Sequence, residues 1–457
     1  MNYVYFRFSD LIFLWPAQSK RFSLIALVRQ LIRDNVVFRS VRCVRVTLSP
    51  PASDAAPVAA MAMTPLERRA SASLASIFAL RMLGLFLVLP VFALEARKYP
   101  GGEDPALLGL AMGIYGLTQG LLQLPFGMAS DRFGRKRVIV LGLLIFALGS
   151  FWAAAATDLT GLLIGRSIQG AGAVSAAVTA LLADLTRDEV RTKAMALVGA
   201  SIGLMFALSL VLAPLMAAAI GLSGLFVVTG VLALLGVTVV VWGAPPAPAP
   251  VAGPARGRLK DVLSHAGLLR LNLGVFVLHA VQLAMWVAVP ALLVQAGLSK
   301  DHHWQVYLPA VLGSFVLMGG TFAMERRGHL KKVFLLAIAL IAAVQLGFLW
   351  QASGTPRLGA LAGLLFVFFC GFNVLEATQP SLASRLAPSA VRGTAMGVYN
   401  TLQSLGFFAG GWLGGYLVKT WGSQALFLSC AGAMLAWLLV ALPMQTPARP
   451  VPVRQTA

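Results

Sequence analysis

Gly127-Met128-Ala129-Ser130-Asp131-Arg132-Phe133-Gly134-Arg135-Lys136 separates two long apolar runs, roughly residues 106–128 and 138–156. Each run is long enough to cross a hydrocarbon core of about 30 Å. A short loop dense in arginine and lysine between two such runs reads as a membrane hairpin, its turn held on one face of a bilayer. Further runs of the same kind extend in both directions.

The composition agrees. Residues of the apolar classes make up 58% of the chain and charged residues 11%, with a formal net charge of +20. A water-soluble domain needs a polar exterior that this composition cannot supply. In a soluble protein such a charge would suggest nucleic acid. Here the bases sit in short loops between apolar runs, so no nucleic-acid partner is expected and the lipid bilayer is. Cys43, Cys370 and Cys430 lack metal-like or disulfide-like spacing. No HExxH, Walker or GxSxG pattern occurs. An enzyme, a cofactor and a metal are therefore not expected.

The expected spans are 72–95, 106–128, 138–156, 159–183, 194–219 and 222–243, then 269–294, 304–324, 333–351, 356–383, 393–418 and 422–443. The expected fold class is an all-α membrane protein with twelve transmembrane helices in two six-helix bundles. The domains expected are an N-terminal bundle over 63–243, a linker over 244–268, a C-terminal bundle over 269–443 and a tail over 444–457. The linker opens with the Pro/Ala-rich run from Ala244 to Arg258. Residues 1–62 are too interrupted to span. They are expected to be a disordered extension, or to lie upstream of a true start at Met61 or Met63.

Lysine and arginine set the orientation. One set of loops holds Arg132, Arg135, Lys136, Arg137, Arg187, Arg191, Lys193, Arg256, Arg258, Lys260, Arg326, Arg327, Lys331, Lys332, Arg385 and Arg392. The other holds Arg97, Lys98, Lys300, Arg357 and Lys419. The basic side is expected to be cytoplasmic, with both termini on it. The halves also echo each other. DRFGRKR from Asp131 returns as ERRGHLKK from Glu325, and RTKAM from Arg191 returns as RGTAM from Arg392. Two echoes at a similar separation predict duplicated halves with a site at their interface.

Within the hairpin loop, Gly127 allows close approach of a helix. Asp131 can sit at the positive end of a helix, and Arg135 can pair with Asp184 at the basic end of span four. The alternative is a loop that only sets topology, which needs neither Gly127 nor Asp131. Arg166 lies inside span four, followed by Gln169 and Gly170. A guanidinium at that depth costs roughly 2.5–3.5 kcal/mol on insertion scales. It either faces a cavity or partner, or is satisfied by backbone carbonyls. Arg81 falls about 18 Å of helix rise from Arg69, near mid-depth of span one.

Glu376 falls about 13 Å of helix rise before Arg385, and is the clearest acid inside a span. A carboxyl there can take up and release a proton near neutral pH; the alternative is a structural carboxylate permanently paired or protonated. Asn373, Glu376 and Gln379 are spaced by three and share a face. His279 in span seven, with Gln282 on its face, is either a relay or substrate contact, or an interhelix hydrogen-bonder. Tyr115, Gln119 and Gln123 in span two form a polar stripe, as do Asn400 and Gln403 in span eleven. These amides either line a cavity or bond between helices. Gly199, Gly203 and Ala207 in span five, and Gly406, Gly410, Gly411, Gly414 and Gly415 in span eleven, are candidate close-packing positions. Asp301-His302-His303-Trp304 reads as surface decoration rather than a metal site.

The loop Gly127–Lys136 resembles the G-x-x-x-D-R-x-G-R-[KR] signature of the major facilitator superfamily, and Arg166-Ser-Ile-Gln169-Gly170 its R-x-x-Q-G motif. With MTPLERRA, ALRMLGLFLVLP, LLADLTRDEVRTKAMA and RGTAMGVYNTLQSLGFFAGG, the chain over roughly 63–443 resembles the bacterial YajR-type transporters. The resemblance implies proton-driven, alternating-access transport of a small organic solute, in an antiport of the drug/proton kind. It implies that Gly127, Asp131, Arg132, Gly134, Arg135, Lys136 and Asp184 latch the basic side in the outward-open state. By the same resemblance, Glu376 matches a functional acid of the family and Arg166 its proton-coupled motif; together with Arg81 and His279, which lie at mid-span depth, these are the residues expected to couple protons. Tyr115, Gln119, Gln123, Gln169, Asn373, Gln379, Asn400 and Gln403 would line the cavity. A bacterial inner-membrane location and a monomer are expected. The ferredoxin-like domain that ends YajR-type chains is not expected in residues 444–457. The antiporter motif around Pro214 is worn, with Ala213, Leu215 and Met216 where glycines are usual. A proton symporter or facilitator therefore stays open, as does a non-transporting sensor or scaffold.

Overall fold

The computed structural model describes residues 62–246, 259–326, 329–388 and 392–444. Nearly all of the expected extension, most of the linker, part of the ERRGHLKK echo and the tail beyond Met444 lie outside the described residues.

Among the described residues, eight helices are long and apolar enough to cross a membrane. Two of them, Asp188–Thr238 with 51 residues and Arg392–Ala441 with 50, far exceed one crossing. Each breaks at a glycine with positive φ, Gly221 at 66° and Gly422 at 80°. A side chain resists that backbone, so glycine makes the turn between consecutive spans. The two breaks have the same sequence separation as Arg191 and Arg392, a third echo of the duplication. Each long helix is therefore two spans, five and six in one half and eleven and twelve in the other. The broken pair Leu159–Ala171 and Ser175–Asp184 is span four, and Trp304–Arg326 is span eight. The remaining spans are one, Pro65–Glu95; two, Pro105–Phe133; three, Arg135–Ala155; seven, Ala266–Gln295; nine, Leu330–Ser353; and ten, Leu358–Leu386.

Three boundaries differ from expectation. Span one begins at Pro65, because Thr64 and Glu67 form a reciprocal capping box with Pro at the first helical position. Span four is interrupted between Ala171 and Ser175. There a Cβ at Gly170 would collide with the Tyr115 carbonyl, and one at Gly172 with the Gly142 carbonyl. The linker holds a short helix, Leu259–Leu263, and span seven starts at Ala266, capped by His265 Nδ1 accepting from Leu268 N at 3.3 Å.

In the first half span one packs on spans five and six, and spans two and three on span four. In the second half span seven packs on span eleven, and span ten on spans eight and nine. Span two meets span eleven across the halves. A Cβ at Gly109 would strike the Gly411 carbonyl, and one at Gly116 the Ser404 carbonyl. Lipid gives apolar side chains no driving force to associate, so backbone contact of this kind supplies the attraction. Toward the basic side the contact loosens. Gly120 meets only side-chain atoms, and Leu124 is 49% exposed beside Gly397.

The glycines of span eleven pack closely, Gly406 on the Phe276 carbonyl and Gly410 on the Ala280 carbonyl. The expected close-packing face of span five does not. Gly199 has no neighbour within 4 Å of a built Cβ, and Gly203 meets only the Phe315 ring at 3.8 Å. Small residues permit close approach but do not compel it.

Candidate functional site

Among the described residues, two buried polar networks stand out, one in each half. In the first half Arg81 is 1% exposed and donates through Nη1 to Ser175 Oγ at 3.0 Å. Through Nη2 it donates to the Tyr115 hydroxyl at 2.6 Å and to Gln119 Oε1 at 3.5 Å. Arg166, 3% exposed, donates to Gln169 Oε1 at 2.9 Å and to the Met112 carbonyl at 3.4 Å. Its guanidinium lies 4.9 Å from the centroid of the Tyr115 ring. Tyr115 thus accepts from one arginine through its hydroxyl and offers its π face to the other. Gln169 Nε2 donates on to Ser150 Oγ at 2.7 Å. Among the described residues, neither arginine meets a carboxylate.

In the second half His279 Nδ1 is 2.8 Å from the Val275 carbonyl, so that nitrogen carries the proton and donates. His279 Nε2 then faces Glu376 Oε2 at 3.2 Å. Gln403 Nε2 lies 2.8 Å from His279 Nε2 and 3.4 Å from Glu376 Oε1. His279 is buried, whereas the Glu376 side chain is 39% exposed. Packing of the ring against Phe407 and Phe372, at 4.9 and 6.0 Å between centroids, fixes the imidazole.

The remaining predicted polar residues divide. Asn373 Nδ2 donates to Ser314 Oγ at 2.7 Å, an interhelix bond. Asn400 is partly exposed. Gln123, Gln169 and Gln379 are buried, at 2%, 1% and 0%. Gln169 spends both ends of its amide inside its own bundle. Gln379 and the Gln123 oxygen have no partner among the described residues.

At the loop, Arg135 pairs with Asp131 and donates through Nε to Asp184 Oδ2 at 3.0 Å and through Nη1 to Ser130 Oγ at 2.7 Å. All four belong to one half. Lys136 Nζ donates to the Ala244 carbonyl at 2.6 Å, past the end of span six. Gly134 has φ of 97°, the backbone that turns span two into span three. Gly127 is under no tight steric demand, since a Cβ there would sit 3.6 Å from Ala176 Cβ. Arg132 is exposed and stacks on Phe133 at 5.4 Å.

On the side poor in bases the halves are tied twice. Glu95, at the end of span one, lies between Lys98 and Lys300, and Lys419 Nζ donates to Asp104 Oδ2 at 2.6 Å. Lys419 holds the Asp104 carboxyl below its ordinary range, and Glu95 raises Lys300 above its own. Phe206 of span five reaches Phe369 of span ten at 6.0 Å between centroids, another contact between the halves. Sequence reasoning missed these ties. Only the Glu95–Lys98 spacing was legible locally. The reading of Asp301–Trp304 as surface decoration is corrected for one residue: His303 is 2% exposed, packed on Tyr307 at 5.8 Å. Burial pushes its imidazole down to about 4.

Twelve apolar spans in two glycine-packed halves, with Arg81, Arg166 and His279 buried among them, define a polytopic membrane transport protein. The sequence profile of the Major Facilitator Superfamily matches residues 74–411. The inner membrane transport protein YajR of Escherichia coli (strain K12) is 43% identical over 392 residues, covering 84% of this chain and 85% of that protein. The multidrug resistance protein MdtH of Aeromonas hydrophila is 27% identical over 342 residues, 73% of this chain and 82% of that one. Among solved structures, that of an auto-inhibited POT family peptide transporter has a TM-score of 0.66 at 16% identity, covering 84% of this chain and 99% of that one. The chain belongs to the major facilitator superfamily.

Proposed function

We propose that the protein expels a small organic solute across a bacterial inner membrane in exchange for protons, by alternating access of its two halves. The observation that carries this reading is the contact between His279 and Glu376. With Nδ1–H committed to the Val275 carbonyl, His279 Nε2 faces Glu376 Oε2 at 3.2 Å, and that buried oxygen has no hydrogen-bond partner among the described residues, so a proton taken up by either group would relieve two facing acceptors. Gln403 can serve either state, because turning its amide over exchanges donor for acceptor. The Glu376 side chain is partly exposed although its Oε2 atom is buried, so its other oxygen is the one placed to exchange a proton with water, and among the described residues Glu376 is the only acid at mid-span.

The closed ties at Glu95 and Asp104, with the loosened contact near Leu124, support a state open toward the basic side, which we take as cytoplasmic. Protonation and deprotonation at Glu376 then bias the halves between this state and its opposite. The Arg135–Asp184 contact lies within one half, so it braces the loop and does not select a state by itself. Similarity to a multidrug resistance protein supports efflux. Glu376→Gln in proteoliposomes is expected to abolish proton-coupled flux while leaving thermal stability in detergent close to wild type. Normal flux in that variant under a pH gradient rules out Glu376 as the carrier.

A second reading, a proton symporter or facilitator, is favoured by the worn span-five motif and the open space at Gly199. The direction of solute movement on an imposed proton gradient separates the two.

A further inference from the structure

The membrane interior carries a charge imbalance that the Glu376–His279 pair does not cancel. Arg81 and Arg166 each bring a positive charge, and their partners are all neutral: Ser175, Tyr115 and Gln119 for one, Gln169 and a backbone carbonyl for the other. The Nε–H of each is buried with no acceptor. The Glu376–His279 pair cannot cancel two charges. It contributes minus one with no shared proton, nothing with one, and plus one with two. The interior is therefore positive in every protonation state, although a buried charge is expected to find a counter-charge.

The arginines differ in access. Arg166 lies behind the Tyr115 ring, its guanidinium 4.9 Å from the centroid. Arg81 is covered in part by Gln119, a partly exposed residue whose oxygen is 3.5 Å from Nη2, the longest of the hydrogen bonds Arg81 makes. That amide is the partner most easily displaced. A planar anion there would take Nη2 and the idle Nε in the bidentate geometry that guanidinium favours.

We propose that the transported solute is an organic anion bearing a carboxylate, which docks on Arg81 in place of Gln119. Arg166 keeps the surrounding field positive through Tyr115. A lipophilic cation would meet that field as a repulsion at every stage of the proton cycle. Anion exit and proton entry also move charge in the same sense, so an inside-negative potential drives both.

This inference rests on the transport reading above, and the test separates the two. The full chain is reconstituted in liposomes containing a pH-sensitive dye. Aromatic and aliphatic carboxylates are presented beside their neutral amides, with tetraphenylphosphonium and ethidium as cations. Proton movement is expected with at least one carboxylate, about tenfold or more above its amide, and with neither cation. It should quicken under a valinomycin-imposed potential. Arg81→Gln is expected to lose the carboxylate preference about tenfold, and Arg81→Lys to retain part of it. Should Arg81→Gln fail to fold, the wild-type carboxylate-to-amide ratio decides. Movement with cations or amides but no carboxylate overturns the anion assignment and leaves transport standing. A folded Arg81→Gln with unchanged carboxylate flux also overturns it. No proton movement with any solute overturns the transport reading, and the anion with it.

Discussion

Lys300 Nζ donates to Glu95 Oε1 at 2.5 Å, and this contact fastens the end of span one to the segment before span eight. Lys98 takes the other carboxylate oxygen, so a carboxylate 3% exposed is held by one lysine from each half.

Replacing Glu95 with Gln should loosen that side of the molecule. Removing one partner of a fully buried pair costs about 3–5 kcal/mol, but both lysines here remain partly in water, so about 1–2 kcal/mol is expected. That moves the balance between the two states by about tenfold. A cysteine introduced at Leu94, beside this contact, should react faster with an impermeant maleimide in the variant. An unchanged labelling rate would show that the tie does not hold the halves together.

His303 gives the same region a pH dependence. Burial lowers its imidazole from 6.5 to about 4. A depressed histidine stabilises the folded state fully above its unfolded value, and that stability is lost as pH falls from 6.5 toward 4. Glu95, Lys300 and Asp301 stand around it. A loss of about 2 kcal/mol is expected at pH 5, visible as a falling melting temperature. His303→Gln should flatten the profile between pH 7 and 5.

Two glycines that look alike in sequence should behave oppositely. A Cβ at Gly410 would overlap the Ala280 carbonyl, whereas Gly199 has open space. Gly410→Ala should force spans seven and eleven apart and destabilise by about 1–3 kcal/mol. Gly199→Ala should raise stability by up to about 1 kcal/mol through helix propensity. Thermal unfolding of the two variants side by side tests the contrast. Equal effects would mean that backbone contact is not what holds span eleven.

The signature loop allows a similar pair. Gly134 has φ of 97°, and alanine there should cost about 1–2 kcal/mol. Gly127→Ala should leave stability unchanged, since its Cβ would make ordinary contact with Ala176. If Gly127→Ala nonetheless lowers flux, the small side is needed in the state opposite to this one, where the helices have moved.

The sequence made the helices legible because the bilayer imposes a length and an apolar composition on every crossing, and the lysine and arginine loops mark the ends. The Thr64–Glu67 cap is an equally local signal, yet span one was expected only from residue 72. Arg81, Arg166, His279 and Glu376 stood out because charge inside a span is costly. Their partners did not stand out. Ser175, Ser150 and the Val275 carbonyl are ordinary groups, and only the packing of separate spans brings them within reach.

What residue order alone determined was how many times the chain crosses, which loops are basic, and which few side chains must be sheltered from lipid. Tertiary structure alone decided that Arg81 and Arg166 share Tyr115, that Glu376 meets His279, and that Glu95 and Lys300 close one side. Crossing a membrane is a property of about twenty consecutive residues, whereas each of these contacts depends on how distant helices lean and rotate against one another.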